Sequence, residues 1–394
     1  MIKKAENTLN SRQETEDGIN LTFKVLSAIG IIIIVSGHCY HGGISLAYEW
    51  FPTYSFNLSL FVFISGYFYK PKHEEHPLKY IGKRALRLLL PAYIWNIIYG
   101  LFILAMKGFG YTIGAEVNPY NLFVMPFFDG EAFAYNLGAW FVYPLFCVCV
   151  FNILFRKLLK LIKADSEYFI MFTYFIIGIV GIYISTKTKI PQTPFNPLKL
   201  VFRTAFFLPC YELGQFYRTK LEKHDKLNSA AYFAIIFAVQ LMLLTFCQDL
   251  EFTPSTFTKF LNGPVVPYIT SITGIAFWLR ISKLITPIVK NKKLLFLISN
   301  NTYSIMIHQL LGFMLVKWMF YSGNILFGLF PDFNAASMKS SIWYYYLPKG
   351  LTQYGMLYLA AGIFLPVSIA ILQSKIIGKL KLSFAALKVR KVVE

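Results

Sequence analysis

The sequence is poor in charged residues for its length. They make up 14% of its 394 positions, against about a quarter in ordinary soluble domains. Hydrophobic residues account for 56%, and 39 phenylalanines and 26 tyrosines help to bring the aromatic fraction to 18%. A water-soluble fold has too little interior to hide that much apolar surface. The composition therefore excludes a soluble protein and predicts an integral membrane protein.

The sequence also lacks the short motifs of several common enzyme classes. It has no phosphate-binding P-loop, no G-x-S-x-G nucleophile elbow, no H-E-x-x-H zinc motif and no His-x4-Asp motif. Its five cysteines form no C-x-x-C pair, and they lie in or at the ends of hydrophobic runs, as small apolar residues do. These absences leave any chemistry to side chains within a membrane bundle or at its faces.

Ten hydrophobic runs approach or reach the roughly 20 apolar residues that a membrane-spanning helix needs. They lie near residues 21–41, 51–69, 87–106, 137–155, 167–185, 201–217, 229–247, 264–280, 294–320 and 350–373. The second and sixth runs are short and the ninth is long. We expect an all-α, polytopic membrane bundle with about ten transmembrane helices, without internal repeats and without room for a separate soluble domain.

The basic residues are distributed unevenly between the segments that join these runs. Alternate segments, including both chain ends and counting Lys24 at the start of the first run, hold 29 of the 38 lysines and arginines. By the positive-inside rule these segments face the cytoplasm, so we expect both the N-terminus and the C-terminus there. The net charge of +19 is confined to such short clusters, which argues against a nucleic-acid partner.

This distribution divides the chain into three parts. Residues 1–20 are predicted to be a polar cytoplasmic arm, and residues 21–373 a transmembrane domain. Residues 374–394 form a basic, amphipathic cytoplasmic tail that we expect to contact membrane lipid.

His38 is an ionisable group within the first predicted span. Such groups are costly in a membrane, and each is a candidate for function. His38 follows Lys24 by fourteen residues, or about 21 Å of helix, which places it in the outer half of the membrane. A neutral imidazole there could accept a proton from a hydroxyl, or it could only be hydrogen-bonded between helices. With His41 it could begin a metal site, but further ligands are not evident, and we predict no metal.

Lys83, Arg84 and Arg87 precede the third predicted span on the cytoplasmic side. Guanidinium groups three positions apart on a helix could bind the phosphates of a carrier. Ordinary positive-inside flanking explains the same residues.

Three other polar or aromatic features have candidate roles. The polar run at residues 299–308 could fix helix packing, or its last residue, His308, could line a reaction chamber. Glu212 lies in the sixth span and is expected to pair with a cation. The aromatic run at residues 343–346 is typical of a membrane interface.

Several of these segments resemble the acyltransferase-3 family of membrane-bound O-acyltransferases. Residues 26–38 are similar to its first helix, which ends in a histidine, and residues 57–68, with Ser65-Gly66-Tyr67, to its second. Arg84-Ala85-Leu86-Arg87 and the Leu-Pro that follows resemble its R-x-x-R segment. Weaker matches lie at residues 139–142, 213–216 and 302–305, the last followed by His308. The likeness extends over essentially the whole chain.

The resemblance implies an O-acyltransferase in the inner (cytoplasmic) membrane of a bacterium. It would move an acyl group, expected to be acetyl, from cytoplasmic acyl-CoA to a hydroxyl of an envelope or extracellular glycan. Acetyl-CoA would be the donor substrate. His38 would be the catalytic base, and Arg84, Arg87 and Lys83 would bind the CoA carrier. Lys24, Ser65, Tyr303 and His308 would support the site.

One position departs from the family pattern. The family has a cation eleven residues before the histidine and an acid three residues further back, where this chain has Ser27 and Lys24. Lys24 could supply the displaced cation, or the chain could be an inactive relative. A lipid-linked glycan flippase or a polymerase is a further alternative. The lack of an internal repeat disfavours a flippase, and the lack of a large outer loop disfavours a polymerase.

Overall fold

The computed structural model describes residues 19–39, 50–130, 133–188, 196–289 and 292–393. Within these ranges the chain forms thirteen helices and no strand. They are α1 Leu21–His38, α2 Asn57–Tyr67, α3 Pro77–Gly108, α4 Met125–Phe128, α5 Val142–Leu161, α6 Glu167–Lys187, α7 Leu198–Phe216, α8 Ser229–Phe246, α9 Val266–Ile285, α10 Lys292–Ser299, α11 Thr302–Phe327, α12 Ala335–Ser340 and α13 Gly355–Val393. The all-α membrane architecture predicted from composition is confirmed.

Each of the ten predicted spans corresponds to a helix, and in the described residues seven are long and apolar enough to cross a membrane. These seven are Leu21–His38, Pro77–Gly108, Leu137–Leu161, Glu167–Lys187, Ser229–Phe246, Thr302–Phe327 and Thr352–Lys379. Helices α7 and α9 have the length, at 19 and 20 residues, but they carry buried polar groups such as Arg203, Glu212 and Arg280. Those groups are paired inside the bundle.

Two predicted spans differ in length from the helices that the chain forms. The run at residues 51–69 yields only α2, with 11 residues, or about 16 Å, because the chain before it forms a short 3-10 turn at Thr53–Ser55. The run at residues 294–320 is two helices, α10 and α11, separated at Asn300 and Asn301. Asparagine side chains compete with the helical backbone for hydrogen bonds, and Asn301 Nδ2 donates to the Leu297 carbonyl at 2.7 Å.

Helices α2 and α7 cross with their backbones in contact. A Cβ added at Gly66 would lie 1.8 Å from the Tyr211 carbonyl oxygen, and one added at Gly214 would lie 2.0 Å from that of Phe63. Only glycine permits this approach, since small residues let the backbones of membrane helices touch. The crossing fixes the short helix α2 beside α1, which it also contacts.

A buried ion-pair cluster joins α5, α6 and α7. Arg156 lies 2.5 Å from Glu212 and 2.8 Å from Glu167, measured from Nη2 to the nearest carboxylate oxygens. The expected pairing of Glu212 with a cation is thus confirmed.

Helices α11 and α13 pack extensively against each other, and both contact α1. This packing brings α11 alongside the last turn of α1, where His38 lies. The basic tail continues α13 without a break through Val393. Residues 1–18 of the predicted arm and the segment 40–49, which includes His41, lie outside the described residues.

Candidate active site

His38 is the last residue of α1. The helix starts where the Asn20 side chain accepts a hydrogen bond from the Phe23 amide at 3.2 Å, and its apolar run carries it to His38. There the ring Nδ1 lies 2.9 Å from the Ile34 carbonyl oxygen. Because a carbonyl can only accept, Nδ1 carries the proton, and Nε2 of the neutral ring keeps its lone pair.

Aromatic side chains from two distant segments enclose His38. The Trp343 ring stacks on the imidazole with centroids 6.0 Å apart, and the Tyr54 ring meets it edge-on at 5.8 Å. The Tyr345 hydroxyl donates to the His38 carbonyl. The run at residues 343–346, which the sequence suggested as an interfacial belt, thus packs directly against the candidate base.

Gln309 lies on α11 beside the His38 ring. Its side chain is 3% exposed, and its Nε2 donates to the Met306 carbonyl at 3.2 Å. Its Oε1 has no hydrogen-bond partner among the described residues. A buried amide oxygen without a partner is costly, so this atom is available to a proton that arrives on His38.

An outer cavity of about 540 Å³, with polar groups among aromatic and apolar side chains in its lining, opens at His38. Trp140, Trp343 and Tyr54 supply aromatic walls, and Glu251 and Lys259 supply charges. Glu251 comes from the 248–263 loop, which is joined to Tyr54 by a hydrogen bond from the Phe252 amide at 3.4 Å. Burial raises the pKa of the Glu251 carboxyl above its ordinary value. The cavity offers both aromatic faces and hydrogen-bonding groups to a ligand.

A narrow space, which we call the neck, continues from the outer cavity past His38. It has about 70 Å³ and shares His38 and Gln309 with the outer cavity. Beyond it lies an inner cavity of about 200 Å³. Four apolar side chains border both the neck and the inner cavity: Ile34, Leu58, Phe141 and Met306.

The inner cavity lies toward the basic end of the bundle. Ser65, Tyr303 and Leu88 line it, and the Tyr303 hydroxyl donates to the Leu88 carbonyl at 3.3 Å. Ser65 hydrogen-bonds its own helix, at the Phe61 carbonyl, at 3.0 Å. Two of the supporting residues suggested by the resemblance, Ser65 and Tyr303, are therefore brought together in one cavity.

Lys83, Arg84 and Arg87 lie within helix α3, not in a loop before it, because α3 starts at Pro77. Arg84 is half-buried, and its Nε donates to the Tyr80 hydroxyl at 3.1 Å. Lys83 and Arg87 are exposed. Arg84 precedes Leu88 by one turn on the same face of the helix, so the cluster adjoins the wall of the inner cavity.

Lys24 and His308 lie away from His38. Lys24 Nζ donates to Asn300 Oδ1 at 2.5 Å and so ties the start of α1 to the turn between α10 and α11. His308 is 1% exposed, and its Nδ1 lies 2.8 Å from the Tyr99 hydroxyl. It lines none of the three cavities in the described part of the chain.

Sequence reasoning missed Gln309, Trp343 and the buried Lys317. Lys317 Nζ donates to the Ile342 carbonyl at 2.5 Å and lies 4.8 Å from the Tyr345 ring centroid, so it holds the segment that covers His38. Gln309 could have been identified as a candidate from the sequence, since it directly follows the polar run at residues 299–308. Successive residues on a helix face about 100° apart, and Gln309 faces the neck where His308 does not.

Metal-ligating side chains do not converge in the described ranges. No three His, Cys, Asp or Glu side chains there are placed to hold one ion. His41, the other ligand that the sequence suggested, lies outside them.

Comparison with protein families gives one match. A family model described as an acyltransferase domain matches residues 21–372, from the first residue of α1 into α13. Comparisons with curated proteins and with solved structures give no match. The match covers nearly the whole bundle, including all three cavities and His38. The chain therefore belongs to the acyltransferase-3 family and is a multi-pass membrane acyltransferase.

Proposed function

We propose that this protein is an O-acetyltransferase of a bacterial inner membrane. It moves an acetyl group from cytoplasmic acetyl-CoA to a hydroxyl of an envelope or extracellular glycan. The observation that carries the proposal is the position of His38. Its Nε2 is free to accept a proton, and it lies at the neck between an outer cavity lined by polar and aromatic groups and an almost wholly apolar inner one.

The donor side is supported by the charges next to the inner cavity. CoA carries several phosphates, and guanidinium groups bind phosphate oxygens well. Exposed Arg87 and Lys83, with half-buried Arg84, adjoin Leu88 in the wall of the inner cavity. A pantetheine arm that enters there reaches the neck through apolar surroundings.

The acceptor side is supported by the lining of the outer cavity. Ligand sites combine apolar and aromatic walls with a few polar groups that fix orientation. Trp140, Trp343 and Tyr54 suit the apolar faces of a sugar ring, and Glu251 and Thr253 suit its hydroxyls.

The reaction follows from these positions. His38 Nε2 takes the proton of the acceptor hydroxyl as its oxygen attacks the thioester carbonyl. The new N–H donates to Gln309 Oε1, and the Trp343 face stabilises the imidazolium. The carbon–sulfur bond breaks, and the CoA thiolate takes the proton back from His38. The products are the acetylated glycan and free CoA, and the imidazole is neutral again.

The test uses purified protein in proteoliposomes with labelled acetyl-CoA and the envelope polysaccharide fraction of the source cells. We expect label on the polysaccharide and one CoA released per acetyl transferred. Polysaccharide that crosses the bilayer unlabelled favours a flippase, and the absence of both label and movement favours an inactive relative. Either outcome overturns the proposal.

A further inference from the structure

The neck is the smallest space between the outer and inner cavities. It has about 70 Å³, against about 540 and 200 Å³ on its two sides. We propose that the neck sets the maximum length of the transferred acyl group, with Met306 and Leu58 as the residues that fix this limit. The inference rests on the proposed function.

The polarity of the neck indicates where the acyl group lies. Its outer half presents Tyr54, Thr253 and Gln309, which suit a hydroxyl acceptor. Its inner half presents Ile34, Leu58, Phe141 and Met306. A thioester carbonyl that meets His38 from the inner cavity places its sulfur and pantetheine in that cavity. The acyl carbons then lie against the apolar half of the neck.

The walls of the neck cannot easily move aside. The Met306 carbonyl accepts a hydrogen bond from Gln309, and a Cβ added at Gly138 would lie 2.1 Å from that same oxygen. Leu58 is on α2, which is fixed by its backbone contact with α7 at Gly66 and Gly214. The backbone segments that carry Met306 and Leu58 are thus held in place and resist expansion of the neck, so an acyl chain that is too long is excluded.

The expected selectivity has a known scale. One methylene too many or too few in a hydrophobic pocket changes kcat/KM by roughly 10- to 200-fold. We therefore expect acetyl-CoA to be preferred over butyryl-CoA by at least about tenfold. Shortening Met306 or Leu58 to alanine enlarges the neck and should reduce or reverse that preference.

The experiment measures kcat/KM with labelled acetyl-CoA and butyryl-CoA in proteoliposomes, with the same polysaccharide fraction as acceptor. It compares the unmodified protein with Met306→Ala and Leu58→Ala. The control is Met314→Ala, since Met314 is a buried methionine on the same helix, α11, but lines none of the three cavities in the described residues.

The readout is the ratio of butyryl to acetyl transfer. The inference predicts that this ratio rises at least about tenfold in Met306→Ala or Leu58→Ala and stays constant in Met314→Ala. If acetyl transfer persists in both neck variants with an unchanged ratio, or if the unmodified protein already uses both donors equally, the neck does not set the limit and the proposed function stands. If the unmodified protein transfers no acetyl group, the proposed function fails and the inference with it.

Discussion

The hydrogen bond between His38 and its own helix determines which ring nitrogen can act. Nδ1 lies 2.9 Å from the Ile34 carbonyl, and this contact fixes both the tautomer and the direction of the ring. Nε2 is then the atom available to an acceptor hydroxyl, and Gln309 Oε1 is available to the proton that Nε2 gains. In the proposed reaction, His38 on α1 is the base, and Gln309 on α11 accepts the hydrogen bond from the protonated ring.

Replacing His38 should therefore remove catalysis and leave the fold intact. His38→Ala is expected to lower the acetyl-transfer rate by a factor of about 10²–10⁴. His38→Gln should behave in the same way, because an amide does not accept a proton at neutral pH. The measurement is initial transfer rate, with membrane insertion and apparent unfolding temperature followed in parallel.

The matched control is His308→Gln. Glutamine can still accept a hydrogen bond from Tyr99, so the rate should stay within a few-fold of the unmodified protein. Gln309→Leu should lower kcat by about 10- to 100-fold, in line with the loss of a hydrogen bond to a charged group, with little change in acetyl-CoA affinity. An active His38→Gln variant would show that His38 is structural.

At the level of single residues, the sequence identified His38 as a candidate site residue but did not identify the side chains that surround it. An ionisable group in an apolar run stands out in the sequence. The partners of His38 do not, because Tyr345 lies 307 residues further along the chain and Gln309 is on another helix. Their proximity comes from the packing of α1, α11 and the 343–346 segment, and one sequence carries no direct signal of such packing.

The helix pair α2 and α7 depends on two glycines. Gly66 and Gly214 each face a backbone carbonyl of the partner helix, so a methyl group at either position forces the helices apart. We expect Gly66→Ala and Gly214→Ala to cost on the order of 1–3 kcal/mol each, as overpacking does. The measurement is the apparent unfolding temperature in detergent.

Gly82→Ala provides the control for these variants. A Cβ at that position of α3 would meet no atom within 4 Å outside the adjoining helix backbone, and alanine is favoured over glycine in a helix by about 1 kcal/mol. It should be neutral or stabilising. Equal unfolding temperatures for Gly214→Ala and Gly82→Ala would mean that α2 and α7 are not in backbone contact.

The basic first turns of α3 make a separate prediction. Arg87→Ala should weaken CoA binding by about tenfold or more, since one charge-assisted hydrogen bond contributes roughly 1.5–3 kcal/mol. Arg84→Ala should weaken CoA binding too, and it also removes the hydrogen bond that Arg84 donates to the Tyr80 hydroxyl. Binding is measured by calorimetry with CoA, and Lys72→Ala is the control. Unchanged affinity in both arginine variants would leave them as flanking charges.

Element type was easier to predict than element length. Each hydrophobic run contains helix, because a bilayer demands apolar helices, and seven of the helices in the described residues are long and apolar enough to cross a membrane. The runs did not reveal that α2 is short, that Asn300 and Asn301 divide the ninth span, or that α3 starts at Pro77. In those places local hydrogen bonding and tertiary packing determine where a helix begins or ends, and hydropathy is insensitive to both.

For the molecule as a whole, the charge distribution predicts which face is cytoplasmic. Lys72 and Asp249 lie on opposite predicted sides, and both are exposed. In a background without the native cysteines, Asp249→Cys should react with a membrane-impermeant maleimide added to intact cells, and Lys72→Cys should react only after lysis. The reverse pattern would invert the orientation and place the arginines of α3 outside.

The neck also affects how well the membrane around this protein blocks the flow of protons and ions. A chain of cavities between the two faces risks leaking protons and ions, but narrow apolar constrictions lose their water and block conduction. Ile34, Leu58, Phe141 and Met306 form such a constriction. Liposomes that contain the protein should hold a pH gradient as long as empty ones, whereas Met306→Asp should shorten its lifetime by drawing water inward. An intact gradient in that variant would place the insulating barrier elsewhere.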